Sequence, residues 1–478
     1  MHKRKPTNVE NQKKFDRREF LKMLGAASAL GAAGLNMPDL VEAAFSDAVD
    51  RPNIIFILGD NHNAGDMGNA GHPFLKTPGL DQLAREGVTF DATYNTTSLC
   101  SPSRASILTG NYARNHEVKN NHTPWTGRRE TFLKRLHDGG YATAFIGKWH
   151  MPGKGLPEFP YLDLFVSYTA NEGQGRYFDC PMIVDGKEIP SRSPYITTEV
   201  TDYAIEFMEE KRKNADGTRK PFCLYLSHRA AHPPFAAPEG IAGMYDKVDV
   251  DMPKEVDPLW FGKTRQNVFQ GVMMGTYHNQ YRKYCETITA MDYDIVRLLK
   301  RVDELDLRDN TVVIYMGDNG IQWGQHGKHG IREPYQDSAV LPFIVRAPWL
   351  VADPGTHRKQ LALNIDIGPT LIDLAGLSVP ESMDGESLMP AIRNTKARGR
   401  EAFLMEFWRY FPEPTPSYVG VVTKKHKYIE FERGRAPWLF DLEADPEEQN
   451  NLYGTPDGAA LLPGLKEKMN GLLAGRRY

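Results

Sequence analysis

Cys100 stands in a setting that can do chemistry. The run from Ser98 to Gly110 reads Ser-Leu-Cys-Ser-Pro-Ser-Arg-Ala-Ser-Ile-Leu-Thr-Gly, which places Cys100, Pro102, Ser103, Arg104, Leu108, Thr109 and Gly110 in the spacing C-x-P-S-R-x-x-x-L-T-G. Ser101 suits an N-cap and Pro102 a first helical position, so a helix is predicted through Arg104 to Leu108. Cys100 is thereby expected at a helix N-terminus, where unpaired backbone N–H groups and the positive dipole end favour an anion or an anionic nucleophile. A lone cysteine is otherwise a small buried core residue. The flanking matches at fixed offsets weigh against that reading here.

A second chemistry lies in two oxygen-rich strand ends. Ile54 to Leu58 is an unbroken apolar run that leads through Gly59 to Asp60-Asn61, and Thr311 to Met316 repeats the pattern through Gly317 to Asp318-Asn319. In open α/β sheets ligands collect at the carboxyl ends of strands, so these carboxylates and amides are placed to hold a metal. Taken singly, an Asp-Asn pair also merely caps a turn. Two carboxylates and two amides make a hard oxygen set that favours Ca²⁺ over Zn²⁺, with Mg²⁺ admitted if it keeps several waters.

The elements that must position these groups are legible in outline. The runs Ile54 to Leu58, Tyr141 to Ile146, Phe222 to Ser227 and Thr311 to Met316 read as strands buried on both faces of a sheet. Helices are predicted over Pro78 to Gly87, Thr131 to Asp138 and Tyr284 to Leu305, the last with Ile288, Met291, Ile295, Leu298 and Leu299 as its apolar stripe. Pro238 to Tyr284, with Trp260 and Phe261, reads as a long insertion over the sheet. Arg393 to Arg400 is a polar linker, Ala402 to Glu432 alternates as strands do, and Leu462 to Leu473 reads as a helix.

A chain of 478 residues with 41% apolar content can build one large domain and a smaller one, and a net charge of −3 gives no electrostatic case for nucleic acid. The N-terminus is different in kind. Asp16-Arg17-Arg18-Glu19-Phe20-Leu21-Lys22 is a twin-arginine pattern, followed by a weakly apolar run from Met23 to Leu35 and by Val41-Glu42-Ala43 before Ala44. That run of about 13 residues falls short of the roughly 20 that span a bilayer, so residues 1–43 are expected to be a removable export signal. The expected partner is the twin-arginine translocation machinery, the destination periplasmic or secreted, with no membrane anchor. Cys180, Cys223 and Cys285 are scattered, which argues against a zinc site or a disulfide framework.

With these residues in view, the sequence resembles the type I sulfatases of the alkaline phosphatase superfamily. The resemblance implies that a formylglycine-generating enzyme oxidises Cys100 to Cα-formylglycine, whose hydrate is the nucleophile and adds a fifth oxygen to Asp60, Asn61, Asp318 and Asn319 around the metal. Gly140 to His150 is similar to a second motif of the family, so Lys148 and His150, at alternate positions of an extended backbone, would face one side. One would bind a sulfonate oxygen while the other handles a proton. His232-Pro233-Pro234 resembles a third segment and favours His232 over His228. His326 to Pro342 follows the family in Arg332, Tyr335, Asp337, Ser338 and Pro342, but Ile331 stands where the family carries a lysine. Lys328 is the expected substitute. Asn61 is a milder departure, since many relatives carry aspartate there.

The fold implied is an alkaline-phosphatase-like α/β domain over 44–395, a mixed sheet between helices, followed by a C-terminal α+β subdomain over 396–478 with an antiparallel sheet. The activity implied is hydrolysis of a sulfate monoester, with Cys100, Arg104, Lys148, His150 and His232 catalytic. A sulfated carbohydrate suits export, the aromatics Trp125, Trp260, Trp408, Tyr410 and Phe411, and the segment Glu406-Phe407-Trp408-Arg409, which is similar to glucosamine-6-sulfatase-like members. Two readings compete: a phospho- or phosphonate ester hydrolase of the same superfamily, and an exported glycan-binding protein whose catalysis is impaired at Ile331.

Overall fold

The computed structural model describes residues 51–477 apart from 154–158, 169–172, 215–216, 252–276 and 433. The expected export signal and Trp260 and Phe261 lie outside the described residues. Ten strands form one mixed sheet, in the order 356–358, 88–90, 343–346, 311–317, 53–59, 222–227, 142–147, 164–167, 182–184 and 187–189. Thr311–Gly317, Asn53–Gly59, Phe222–Ser227 and Ala142–Gly147 lie side by side and parallel, with Gly59 opposite Gly317 and Gly147 opposite Ser227. Their carboxyl ends therefore share one rim.

Strict alternation along the first strand explains its unbroken apolar character. Ile54, Phe56 and Leu58 join one core with Leu108, Phe132 and Leu371, while Ile55 and Ile57 join another with Leu83, Val200 and Leu298. Helices cover both faces, so every side chain of the strand leaves water. Cys223 and Cys285 are buried in the strand Phe222–Ser227 and the helix Tyr277–Glu304, as core residues. That helix begins at least seven residues before the predicted Tyr284, because Tyr277 and Tyr281 stack on each other and both meet Trp323 edge-on, in an aromatic cluster with Tyr284 that periodicity alone does not register.

A four-stranded antiparallel sheet follows: Ala402–Phe407, Tyr418–Thr423, His426–Phe431 and Trp438–Asp441. Phe403, Met405 and Phe407 on one face pack with Leu99, Leu363 and Ala339, so this sheet leans on the segments flanking Cys100. Leu404, Val421 and Tyr428 on the other face meet Leu465 and Met469 of the helix Pro456–Leu473, six residues longer at its start than predicted because Thr455 caps it and Pro456 occupies the first turn. Among the described residues no helix is long and apolar enough to cross a membrane.

Candidate active site

The helix Cys100–Thr109 starts two residues earlier than the motif predicts. Leu99, not Ser101, is the extended residue before it and offers no side-chain cap. Ser101 instead donates its hydroxyl to the backbone oxygen of His150 at 2.6 Å, and its N–H is met by Oδ1 of Asn121 at 3.1 Å. The serine thus ties the helix start to the Lys148–His150 segment. Cys100 is the first helical residue and is buried.

Four strand ends deliver the charged groups. Arg104, one turn along the helix, is fully buried and spends all three guanidinium nitrogens inward. Nε lies 2.9 Å and Nη2 2.9 Å from Oδ2 of Asp318, Nη2 is 3.2 Å from Oδ2 of Asp60, and Nη1 donates to the Lys148 carbonyl at 2.8 Å and to Ser227 Oγ at 2.6 Å. Lys148 reaches the same Asp60 oxygen with Nζ. Gly147 is essential to this approach: its φ is +110°, and a Cβ there would sit 1.9 Å from the Ser227 carbonyl oxygen. The Arg104 and Lys148 side chains therefore hold the two strand-end carboxylates, a pairing with Asp60 that was expected of neither.

Asn61, at φ +53°, donates its N–H to Oδ1 of Asp318 at 3.1 Å, while Asn319 donates its amide to Oδ1 of Asn61 at 2.5 Å. This leaves Oδ1 of Asp60 and Oδ1 of Asn319 buried without a hydrogen-bond partner among the described residues. Buried polar oxygens are nearly always satisfied. Burial and the neighbouring Asp60 carboxylate also push Asp318 up to about 6. Two unsatisfied oxygens beside paired carboxylates fit a hard divalent cation.

His232 lies with Asp60 and Cys100, their ligand atoms all within 4.8 Å of one another. Its Nδ1 faces the Pro233 carbonyl at 2.5 Å, which fixes the proton there and leaves Nε2 as the free nitrogen. Tyr177 donates its hydroxyl to the His232 carbonyl at 2.8 Å and Arg229 Nη2 binds the Pro233 carbonyl at 2.9 Å, so the loop is held from both ends. His228, the other sequence candidate, is buried with both ring nitrogens unpartnered and burial pushes it down to about 3. His150 adopts φ +51°, so it and Lys148 do not continue an extended strand as the alternate spacing suggested. Lys148 turns to Asp60, and His150 keeps a buried Nδ1 without a partner. Burial, then Lys148, holds both His150 and His232 well below the usual imidazole range. Burial likewise pushes the Cys100 thiol up to about 12, which makes the unmodified side chain a poor nucleophile.

Lys328 does not take the place expected for it. Its side chain is 46% exposed and its Nζ lies 3.8 Å from Glu333. Arg332, which sequence reasoning noted without assigning a role, is instead buried with Tyr410 and Glu413. Of the aromatics, Trp125 packs edge-on against Trp149 at 5.6 Å as a wall of the core. Trp408, Tyr410 and Phe411 follow the strand Ala402–Phe407, with Lys119 Nζ 5.2 Å from the Trp408 ring, His122 5.2 Å from Tyr410, and Phe411 91% exposed.

Fold and site together define a hydrolytic enzyme of alkaline-phosphatase-like architecture. The sulfatase family model matches residues 52–377 and the N-sulphoglucosamine sulphohydrolase C-terminal model residues 324–474, so the chain belongs to the sulfatase family. N-acetylglucosamine-6-O-sulfatase of Bacteroides thetaiotaomicron is 30% identical, over 86% of this chain and 84% of its own length. A solved structure in complex with its substrate D-glucosamine-2-N,6-O-disulfate superimposes with a TM-score of 0.80 at 27% identity, covering 89% of this chain and 98% of that one. The phosphonate monoester hydrolase of Agrobacterium radiobacter, at 22% identity and a TM-score of 0.72 over 89% of this chain and 96% of its own, shares the fold.

Proposed function

We propose that this protein is an exported carbohydrate sulfatase that releases sulfate from a sugar sulfate monoester, with residue 100 as formylglycine and Ca²⁺ as its metal. The observation that carries this reading is the convergence of Cys100, Asp60 and His232 within 4.8 Å at a rim where two carboxylates meet two buried cations. The names of its relatives support an amino-sugar 6-sulfate as the substrate class.

Asp60, Asp318, Asn319 and Asn61 would hold the cation, which when bound supplies positive charge against the sulfonate oxygens. As formylglycine hydrate, residue 100 would present one hydroxyl for attack on sulfur and a second whose deprotonation lets sulfate leave, which is why a plain serine would serve poorly. The helix N-terminus favours negative charge at that position. Arg104 holds both carboxylates in place. Lys148, paired with Asp60 in the free site, would turn to a sulfonate oxygen when a divalent ion takes over that carboxylate. His232, with Nδ1–H anchored on Pro233, presents Nε2 as the atom that carries the proton to the leaving alcohol, and His150 takes one from residue 100. Both imidazoles are neutral in the free site, and the bound anion would raise them towards protonation. Trp408 and the exposed Phe411 would offer faces to a sugar ring.

Maturation by a formylglycine-generating enzyme would precede twin-arginine export, since that route carries folded chains. The test is sulfate release from glucosamine 6-sulfate and from aryl sulfate, beside aryl phosphate, using protein whose residue 100 has been checked by peptide mass. Dominant hydrolysis of the phosphate ester would move the assignment to phosphoryl chemistry, and sugar binding without sulfate release would make it a glycan-binding protein.

A further inference from the structure

The two cations on Asp60, beside residue 100, are already committed. Arg104 has no nitrogen left over from Asp60, Asp318, Ser227 and the Lys148 carbonyl, and Lys148 is paired with Asp60. Arg332 differs. It comes from the segment after Gly330, at φ +98°, a conformation that a non-glycine residue holds only when its surroundings demand it. Its guanidinium is buried, with Nε and Nη2 each 3.2 Å from the Tyr410 hydroxyl and Nη2 2.9 Å from Oε1 of Glu413, while Nη1 takes part in none of these bonds. Tyr418 donates its hydroxyl to the Arg332 carbonyl at 3.1 Å and so fixes the backbone.

Leu99, the residue before Cys100, packs in one apolar cluster with Ile331 and Tyr410, and the His122 ring 5.2 Å from Tyr410 adjoins Asn121, whose Oδ1 accepts the Ser101 N–H at 3.1 Å, so Arg332 and its partners border the start of the nucleophile helix. Ile331 has turned the other way and packs against the apolar clusters around Trp323 and Phe403. The positive φ at Arg332 is what lets adjacent residues diverge, the isoleucine into the core and the arginine to Tyr410 and Glu413. Glu413 and Tyr410, both on the loop after the strand Ala402–Phe407, hold one edge of the guanidinium and leave the other for a ligand. A planar donor group clamped in this way suits an oxyanion better than a mobile lysine does.

We propose that Arg332 binds a sulfonate oxygen of the substrate through its free edge and stands in for the lysine missing at Ile331, with Tyr410 and Glu413 as positioning residues contributed by the C-terminal sheet. The inference rests on the sulfatase reading above. It also makes the Ile331 departure a relocation of charge from one residue to the next rather than a loss of catalysis.

The test uses matured, metal-loaded full-length protein and inorganic sulfate as the probe, with dissociation constants from calorimetry and inhibition constants against an aryl sulfate. Arg332→Gln is expected to weaken sulfate about 10- to 100-fold, the loss of a charge-assisted hydrogen bond, with Arg332→Lys intermediate. Millimolar guanidinium is expected to restore part of the turnover of Arg332→Ala, an effect that a purely structural role would not give. Tyr410→Phe is expected to raise the sulfate inhibition constant several-fold, and it serves if the arginine variants fold poorly. Lys328→Ala is expected to match the wild type. Sulfate affinity of Arg332→Gln within twofold of wild type, with the fold intact, would overturn the proposal. A wild type that binds sulfate through Arg332 but hydrolyses no sulfate ester would sink the functional reading and leave this one standing.

Discussion

Arg104 and Asp318 are joined by a two-nitrogen fork, Nε and Nη2 each 2.9 Å from one carboxylate oxygen, across 214 residues of sequence. The fork fastens the helix that begins with Cys100 to the end of the strand Thr311–Gly317, and Nη2 carries on to Asp60. A lysine could not span these partners, because one ammonium cannot reproduce a planar fork. Arg104→Lys is expected to cost about 2 kcal/mol or more in stability and about 100-fold or more in kcat. Denaturant midpoints and steady-state rates check both.

The unsatisfied Oδ1 atoms of Asp60 and Asn319 predict a metal dependence. Dialysis against a chelator is expected to abolish turnover and lower the melting temperature, with Ca²⁺ restoring both more fully than Mg²⁺. Asp318→Asn would remove one charge from the oxygen set and is expected to weaken the metal about 10-fold or more, read by calorimetry on the apoprotein. Turnover that survives exhaustive chelation would refute the oxygen-site assignment.

His232 presents Nε2 towards the site because Pro233 holds Nδ1. Its proposed role as proton donor to the leaving alcohol matters more as that alcohol becomes more basic. His232→Ala is expected to lose about 100-fold or more in kcat on a sugar sulfate and much less on a nitrophenyl sulfate, whose leaving group needs no proton. Equal losses on the two substrates would instead assign His232 to binding.

His116 ties acid stability to the nucleophile helix. It is buried, its Nε2 3.0 Å from Ser106 Oγ, its Nδ1 accepting the Val118 N–H at 3.1 Å, and burial pushes it down to about 3 from an ordinary 6.5. A histidine depressed in the folded state contributes its stability above pH 6.5, and that contribution is lost as pH falls from 6.5 towards 3. The expected loss is about 2 kcal/mol by pH 5. His116→Gln is expected to flatten this part of the pH–stability curve, measured by denaturant unfolding from pH 7.5 to 4.5.

Much of the fold was legible because burial on both faces leaves a plain mark. The unbroken apolar runs before Asp60 and Asp318 could only be central strands, and they are neighbours in the sheet. The alternation after Ala402 likewise became antiparallel strands. Where the reading slipped, long-range contacts had overridden local signals. Ser101 had the chemistry of a cap but found a stronger partner in the His150 carbonyl, and Lys148 and His150 had strand spacing but left it at a positive φ. Lys328 had the right charge but is half exposed and faces Glu333.

The sequence by itself determined the cysteine motif, the oxygen-bearing strand ends and the order of the segments, because residue type and short-range spacing are properties of the chain alone. Only the tertiary structure decided which charges are spent and which remain free. Arg104 is consumed by Asp60 and Asp318 and Lys148 is held on Asp60, while Arg332 is held along one edge by Tyr410 and Glu413. Those pairings depend on distances between residues hundreds of positions apart, set by how four parallel strands and a C-terminal sheet pack, and no local pattern encodes them.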